Sequence, residues 1–164
     1  MNDDVLAIVE ASTMRRWLGV MMMASLGGLV IFIALTAPPE PAWQVFLLVM
    51  GAASLWMAEK MRSATRYRIE LTAQEMRTSE GQVIARLDDI DKVERGMFVF
   101  KPSNGFLVQL RHPYPRIWRP GLWWCSGRKI GVGGVTSAGQ TKAMSEILSV
   151  LLAERTQGQD KNPD

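Results

Sequence analysis

A run of 21 residues without a charge, Trp17 to Ala37 (WLGVMMMASLGGLVIFIALTA), constrains this chain more than any other feature. As a helix rising 1.5 Å per residue it is about 31 Å long, which matches a hydrocarbon core of about 30 Å. Pro38, Pro39 and Pro41 end it, because proline lacks an N–H and fixes φ. A second apolar run, the 17 residues Ala42 to Ala58, follows at once, with Gln44 its only strongly polar side chain. That is the short end of the spanning range, and the PPEP link leaves room only for an antiparallel hairpin. The expected layout is an N-terminal segment 1–16, spans 17–37 and 42–58, a folded part 59–155 and a flexible tail 156–164.

Basic residues orient the hairpin. Arg15 and Arg16 precede the first span, Lys60, Arg62, Arg66 and Arg68 follow the second, and the loop between holds only Glu40. The positive-inside rule places both termini in the cytoplasm. Trp17, Trp43 and Trp56 lie near span ends, where indoles suit the headgroup layer. Arg15, Arg16, Trp17, Trp43, Lys60 and Arg62 are therefore the expected interface anchors. Two rival readings exist: a cleaved signal peptide, and a buried hairpin in a soluble protein. The length of the first run and the second span behind it argue against the former. The charge asymmetry and the tryptophans argue against the latter. Neither span contains Asp, Glu, Lys, Arg or His, which disfavours a transporter or channel. Ala24, Gly28, Gly51, Ser54 and Ala58 are small enough for close helix packing, either within the hairpin or against another membrane protein or a second copy.

Beyond Glu59 the pattern changes to short strands. Tyr67–Leu71 alternates, Leu71–Gln74 reads as a kink, Glu75–Thr78 is extended, and Ser79-Glu80-Gly81 is a turn. Gln82–Leu87 is the next strand, and Asp88–Val93 reads as one helical turn with Ile90 and Val93 inward. Met97–Lys101 and Phe106–Arg111 flank Asn104-Gly105, a hairpin signal. Pro113–Gly121, with three prolines, reads as a loop. Leu122–Cys125 and Lys129–Val132 read as a final strand pair turning near Ser126-Gly127. The last element is a helix, with Ser137 and Gln140 as a capping box and Met144, Ile147, Leu148, Leu151 and Leu152 as its apolar stripe.

The expected fold class is thus a membrane α-helical hairpin plus an α+β domain, whose curved antiparallel sheet has about six or seven strands and a C-terminal amphipathic helix. Tyr67-Arg68-Ile69-Glu70-Leu71-Thr72, the Glu80-Gly81 turn, Leu87–Val93 and the terminal helix resemble the bacterial pleckstrin-homology-like domain of small proteins with two transmembrane helices. The resemblance covers most of Arg66 to Arg155, and the long Trp-Arg-Pro segment departs from the pattern. It implies a multi-pass protein of the bacterial inner (plasma) membrane and a binding or scaffolding role without enzymatic chemistry. The alternative is an accessory or structural subunit of a larger membrane complex.

Charge is split within the folded part. Glu70 to Glu94 holds seven acids and three bases, whereas Arg95 to Ser145 holds eight bases and no acid. Trp118, Trp123 and Trp124 interleave with those bases. Nucleic-acid surfaces combine bases and aromatics in this way, but a membrane-tethered domain has a nearer anion in the lipid headgroup layer, where each Lys or Arg contributes about 1 kcal/mol. Arg111, Arg116, Trp118, Arg119, Arg128 and Lys129 are the candidate lipid contacts. The competing reading puts the tryptophans in the core and the bases on an ordinary solvated face. The expected partners are the bilayer and anionic headgroups, with no nucleic acid.

Other motifs fail on chemistry. Gly134 to Thr141 approaches phosphate-loop spacing, but Gln140 stands where the lysine belongs. Asp88, Asp89 and Asp91 lack the glycine and distal Glu of a calcium loop. Cys125 and His112 are the sole cysteine and histidine, too few for a usual zinc site, and Cys125 reads as a small core residue. No metal, cofactor or catalytic residue is expected.

Overall fold

The computed structural model of the chain describes residues 4–94 and 102–160. The expected strand Met97–Lys101, and with it Arg95 and Lys101 of the basic run, lies outside the described residues. The first element is a short strand, β1 (Ala7–Val9), followed by two helices of 24 residues each, α1 (Thr13–Thr36) and α2 (Pro41–Ala64). Three strands follow: β2 (Ile69–Leu71), β3 (Glu75–Thr78) and β4 (Val83–Arg86). A single 3₁₀ turn, Leu87–Asp89, leads into β5 (Ile90–Glu94), β6 (Phe106–Arg119), β7 (Trp123–Val132) and α3 (Ala138–Asp160).

α1 and α2 are both long and apolar enough to cross a membrane, by length and composition. They pack antiparallel through small residues. A Cβ on Gly27 would stand 2.9 Å from the Gly51 carbonyl oxygen, and one on Gly51 would stand 3.0 Å from that of Gly27. Only glycine permits that backbone approach, which removes the bulk that otherwise separates helices. Gly28, the residue singled out from the sequence, faces open space; the contact belongs to its neighbour. Two polar side chains inside the apolar stretch are satisfied across the pair. Ser54 Oγ donates to the Met23 carbonyl at 2.9 Å, and Gln44 Nε2 to that of Ala34 at 3.0 Å.

β1 to β4 form one antiparallel sheet in sequence order, and β5 to β7 form a second. β1 was not anticipated: residues 1–16 were expected only as a leading segment. Yet Ile8 pairs with Glu70 and Val9 with Ile69, so the helical hairpin is an insertion between two neighbouring strands. Val9 is 0% exposed and belongs to the same apolar cluster as Ile69, Leu71, Ile84, Phe106 and Trp123. α3 closes this cluster with Met144 and Leu148, and with Ile147, Leu151 and Leu152 at its margin. Arg155 near the end of α3 pairs with Asp88.

Four expectations are corrected. The expected tail 156–164 is helical as far as Asp160, the end of α3. The Asp88–Val93 helical turn is displaced: the helical residues are Leu87–Asp89, and Ile90 begins a strand. Ile90 is still buried. Trp123–Cys125 and Lys129–Val132 belong to one strand, β7, and Leu122 lies in the turn before it. The proline-rich segment is the far half of β6 rather than a loop. Proline is tolerated where its missing N–H has no ladder partner. β5 stops pairing at Leu110, and the β6–β7 register shifts between Gln109 and Tyr114 and again between Tyr114 and Ile117. Pro113 and Pro115 fall where β6 has lost one neighbour and slipped against the other.

Val9→Ala removes buried methyls from the core, whereas Ile8→Ala trims an outward side chain. The first should cost ~2 kcal/mol and the second less than ~0.5 kcal/mol. Thermal unfolding of the full chain in detergent checks this; equal effects would remove β1 from the core.

Candidate functional site

β6 has 14 residues and β7 has 10, although the two pair from Phe106↔Val132 to Arg119↔Trp123. The surplus in β6 bends the ribbon with β7 on the inner track, as bulges do. The ends of β7 meet: the Gly133 N–H donates to the Leu122 carbonyl at 2.9 Å. The Trp124 indole lies over Gly131, where a Cβ would come within 2.4 Å of the ring. The ribbon tip, Pro120–Leu122, folds back against the base of the hairpin. A Cβ on Gly121 would meet Thr65 and Val135 side chains at 3.1 and 3.3 Å and Met61 at 3.5 Å.

That base is a polar junction. The Ser12 N–H donates to the Val135 carbonyl at 2.8 Å, and Ala11 bridges Thr136. Arg15 donates to the Thr136 carbonyl at 3.1 Å, and Arg16 to that of Thr65 at 3.3 Å. Gln140 Oε1 accepts the Glu10 N–H at 3.1 Å, so the expected capping residue ties the start of the chain to α3. Of the remaining expected anchors, Arg62 is held by Glu59 at 2.7 Å, and Lys60 lies 5.4 Å over the Trp56 ring. Arg16 also lies 5.8 Å over the Trp17 ring. Trp43, at the opposite end of the hairpin, is exposed and stands edge-on to Phe46.

The six candidate lipid contacts separate into different environments. Cross-strand partners share a face and neighbours alternate. Trp118 and Trp124 pair on the outer face, whereas Arg119 and Trp123 pair on the inner one. Trp118 is 55% exposed; Trp123 is 1% exposed and is a core residue. Arg116, Ile117, Trp118, Trp124, Cys125 and Ser126 line an open groove of about 770 Å³. Arg116 makes no hydrogen bond or ion pair among the described residues. Arg119 is not available in this way. Its guanidinium lies 5.9 Å over Tyr67, 3.7 Å from the Glu80 carboxylate and 3.4 Å from Gln82 Oε1. It clasps the ribbon tip to the β3–β4 turn. Arg111 lies elsewhere, in a cleft of about 200 Å³ beside Asp88, Asp91 and Arg155. Arg128 and Lys129 are exposed at the bend of β7.

Outside the helical hairpin, three titratable groups among the described residues depart from their ordinary values. The Glu80 carboxylate beside the Tyr67 hydroxyl raises that phenol. Burial, then donation to Asp89 Oδ2 at 2.7 Å, raises Tyr114. Burial raises the Cys125 thiol, which makes it a poor nucleophile. Among the described residues no three His, Cys, Asp or Glu side chains are grouped to hold a metal ion. Comparison with protein-family models, curated proteins and solved structures finds no match for this chain.

Two outcomes follow. Arg119→Ala should lower the unfolding temperature and Arg116→Ala should leave it unchanged, because only Arg119 has partners; equal shifts would contradict the clasp. The raised Cys125 pKa favours the neutral thiol in the fold. Its stabilising effect is complete below the ordinary thiol range and is lost as pH rises through the folded value. Unfolding in detergent from neutral to alkaline pH should show a fall that Cys125→Ala diminishes.

Proposed function

We propose that the chain is an integral protein of a bacterial inner membrane, whose helical hairpin holds a non-enzymatic binding and scaffolding domain against the cytoplasmic face. The observation that carries this reading is the insertion of α1 and α2 between β1 and β2. A hairpin inserted between paired strands must leave and return on the same side. The basic residues at its base and the base-free loop at its tip support the cytoplasm as that side. Its partner in the first instance is the bilayer.

For the folded part we propose the pleckstrin-homology-like fold. A four-stranded and a three-stranded antiparallel sheet followed by one helix is compatible with it, and the shared apolar cluster supports a single binding module. Rooting both helices in that module fixes its height relative to the membrane. Such a domain works on what lies within a few ångströms of the headgroups.

Topology and extraction test this together. Reporters fused at either terminus should read as cytoplasmic, a tag between Pro38 and Pro41 as external, and the chain should stay in the membrane pellet after alkaline carbonate. Release by carbonate, or an external C-terminus, would overturn the reading.

A further inference from the structure

We infer that the groove on the β6–β7 ribbon is a site for the headgroup of an anionic membrane phospholipid, with Arg116 on the phosphate and Trp118 and Trp124 against the glycerol and upper acyl region. This rests on the membrane reading above and names the ligand of the domain. Four observations carry it. Trp118 is a large apolar side chain left 55% exposed beside a half-buried Trp124. The groove they line is about 770 Å³, ample for a headgroup. Arg116 at its edge has no partner among the described residues, and its planar fork suits phosphate. The surrounding half of the domain, Arg95 to Ser145, contains no acid in sequence.

Position selects a lipid over a soluble anion. Trp118 is two residues from Pro120, where the ribbon tip begins, and Gly121 in that tip packs on Met61 and Thr65 at the base of α2. The groove is therefore on the stretch of β6 that runs into the tip packed on the base of the hairpin. Tryptophan with arginine is the pairing that suits the boundary between hydrocarbon and headgroups. Gly131 is part of the device: its missing side chain is what lets the Trp124 indole lie flat on β7.

The test uses the full chain in neutral detergent micelles, titrated with short-chain phosphatidylglycerol, with phosphatidylcholine, and with inorganic phosphate. Tryptophan emission and retained lipid by native mass spectrometry are the readouts. Phosphatidylglycerol should bind at least fivefold tighter than phosphatidylcholine. Arg116→Ala should weaken it about fivefold, equivalent to ~1 kcal/mol, and Trp118→Ala should abolish most of the emission change. Lys142→Ala removes the same charge from α3 and should change binding less than twofold. Circular dichroism of each variant confirms folding, and Arg116→Lys should recover part of the affinity if folding is intact. Equal binding of both lipids, an equal loss on Lys142→Ala, or saturation by inorganic phosphate alone at the same concentrations would overturn the assignment. A chain that resists carbonate but shows no lipid preference keeps the membrane reading and loses this one; release by carbonate fails the membrane reading whatever the titration shows.

Discussion

The pairing of β1 with β2 across an inserted helical hairpin is the constraint on which the rest of the structure depends. Val9 and Ile69 sit opposite each other, with both helices between them in sequence. Closing so long a connection is less costly than its length suggests, since loop entropy grows only logarithmically. Here the connection is also pre-paired, by the Gly27–Gly51 contact and the hydrogen bonds of Ser54 and Gln44. The hairpin brings its two ends together, and the sheet takes advantage of that. The domain and the hairpin are therefore tied together at one junction. Arg15, Arg16 and the backbone of Ser12 bind the junction to Thr136, Thr65 and Val135.

From that junction the second sheet follows. The ribbon tip packs on the end of α2, and the Arg119 clasp to Glu80, Gln82 and Tyr67 fixes it to the first sheet. Because β6 is longer than β7, the ribbon bends, and the β6–β7 register decides which tryptophan is core and which is surface. Trp123 turns inward with Cys125, and Trp118 turns outward with Trp124. The core reading of the aromatic segment holds for Trp123, whereas Trp118 is left exposed. Charge sorts the same way: Arg119 has partners in both sheets, and Arg116 has none among the described residues.

What was legible in the sequence had a long-range period or an uninterrupted run. The two apolar helices, their proline-rich link and the α3 stripe of Met144 and Leu148 follow from composition and spacing alone. β1 was not legible, because three residues, Ala7 to Val9, carry no periodicity and their partner lies beyond the hairpin. Pro113 and Pro115 pointed to a loop by a sound local rule; the rule gives way where β6 has lost β5 as a neighbour and slips against β7. Gly27 and Gly28 are equivalent in sequence, and only the crossing of α1 and α2 distinguishes them. For the site, residue types were legible and their grouping was not: Arg111, Arg116 and Arg119 look alike in sequence, yet they occupy a cleft of mixed charge, an open groove and an inter-sheet clasp.

The insertion itself is the central claim, and a designed cross-link tests it most directly. In a Cys125→Ala background, cysteines replacing Ile8 and Glu70 face each other across β1 and β2, within disulfide reach once the side chains adjust. Cysteines replacing Ile8 and Arg77 are two strands apart, about 9.5 Å at the strand spacing, beyond that reach. Mild oxidation of intact membranes should join 8 to 70 within one chain and leave 8 and 77 unlinked. Failure of the 8–70 bond in chains that remain membrane-bound and folded, or equal linking of both pairs, would contradict a hairpin inserted between paired strands.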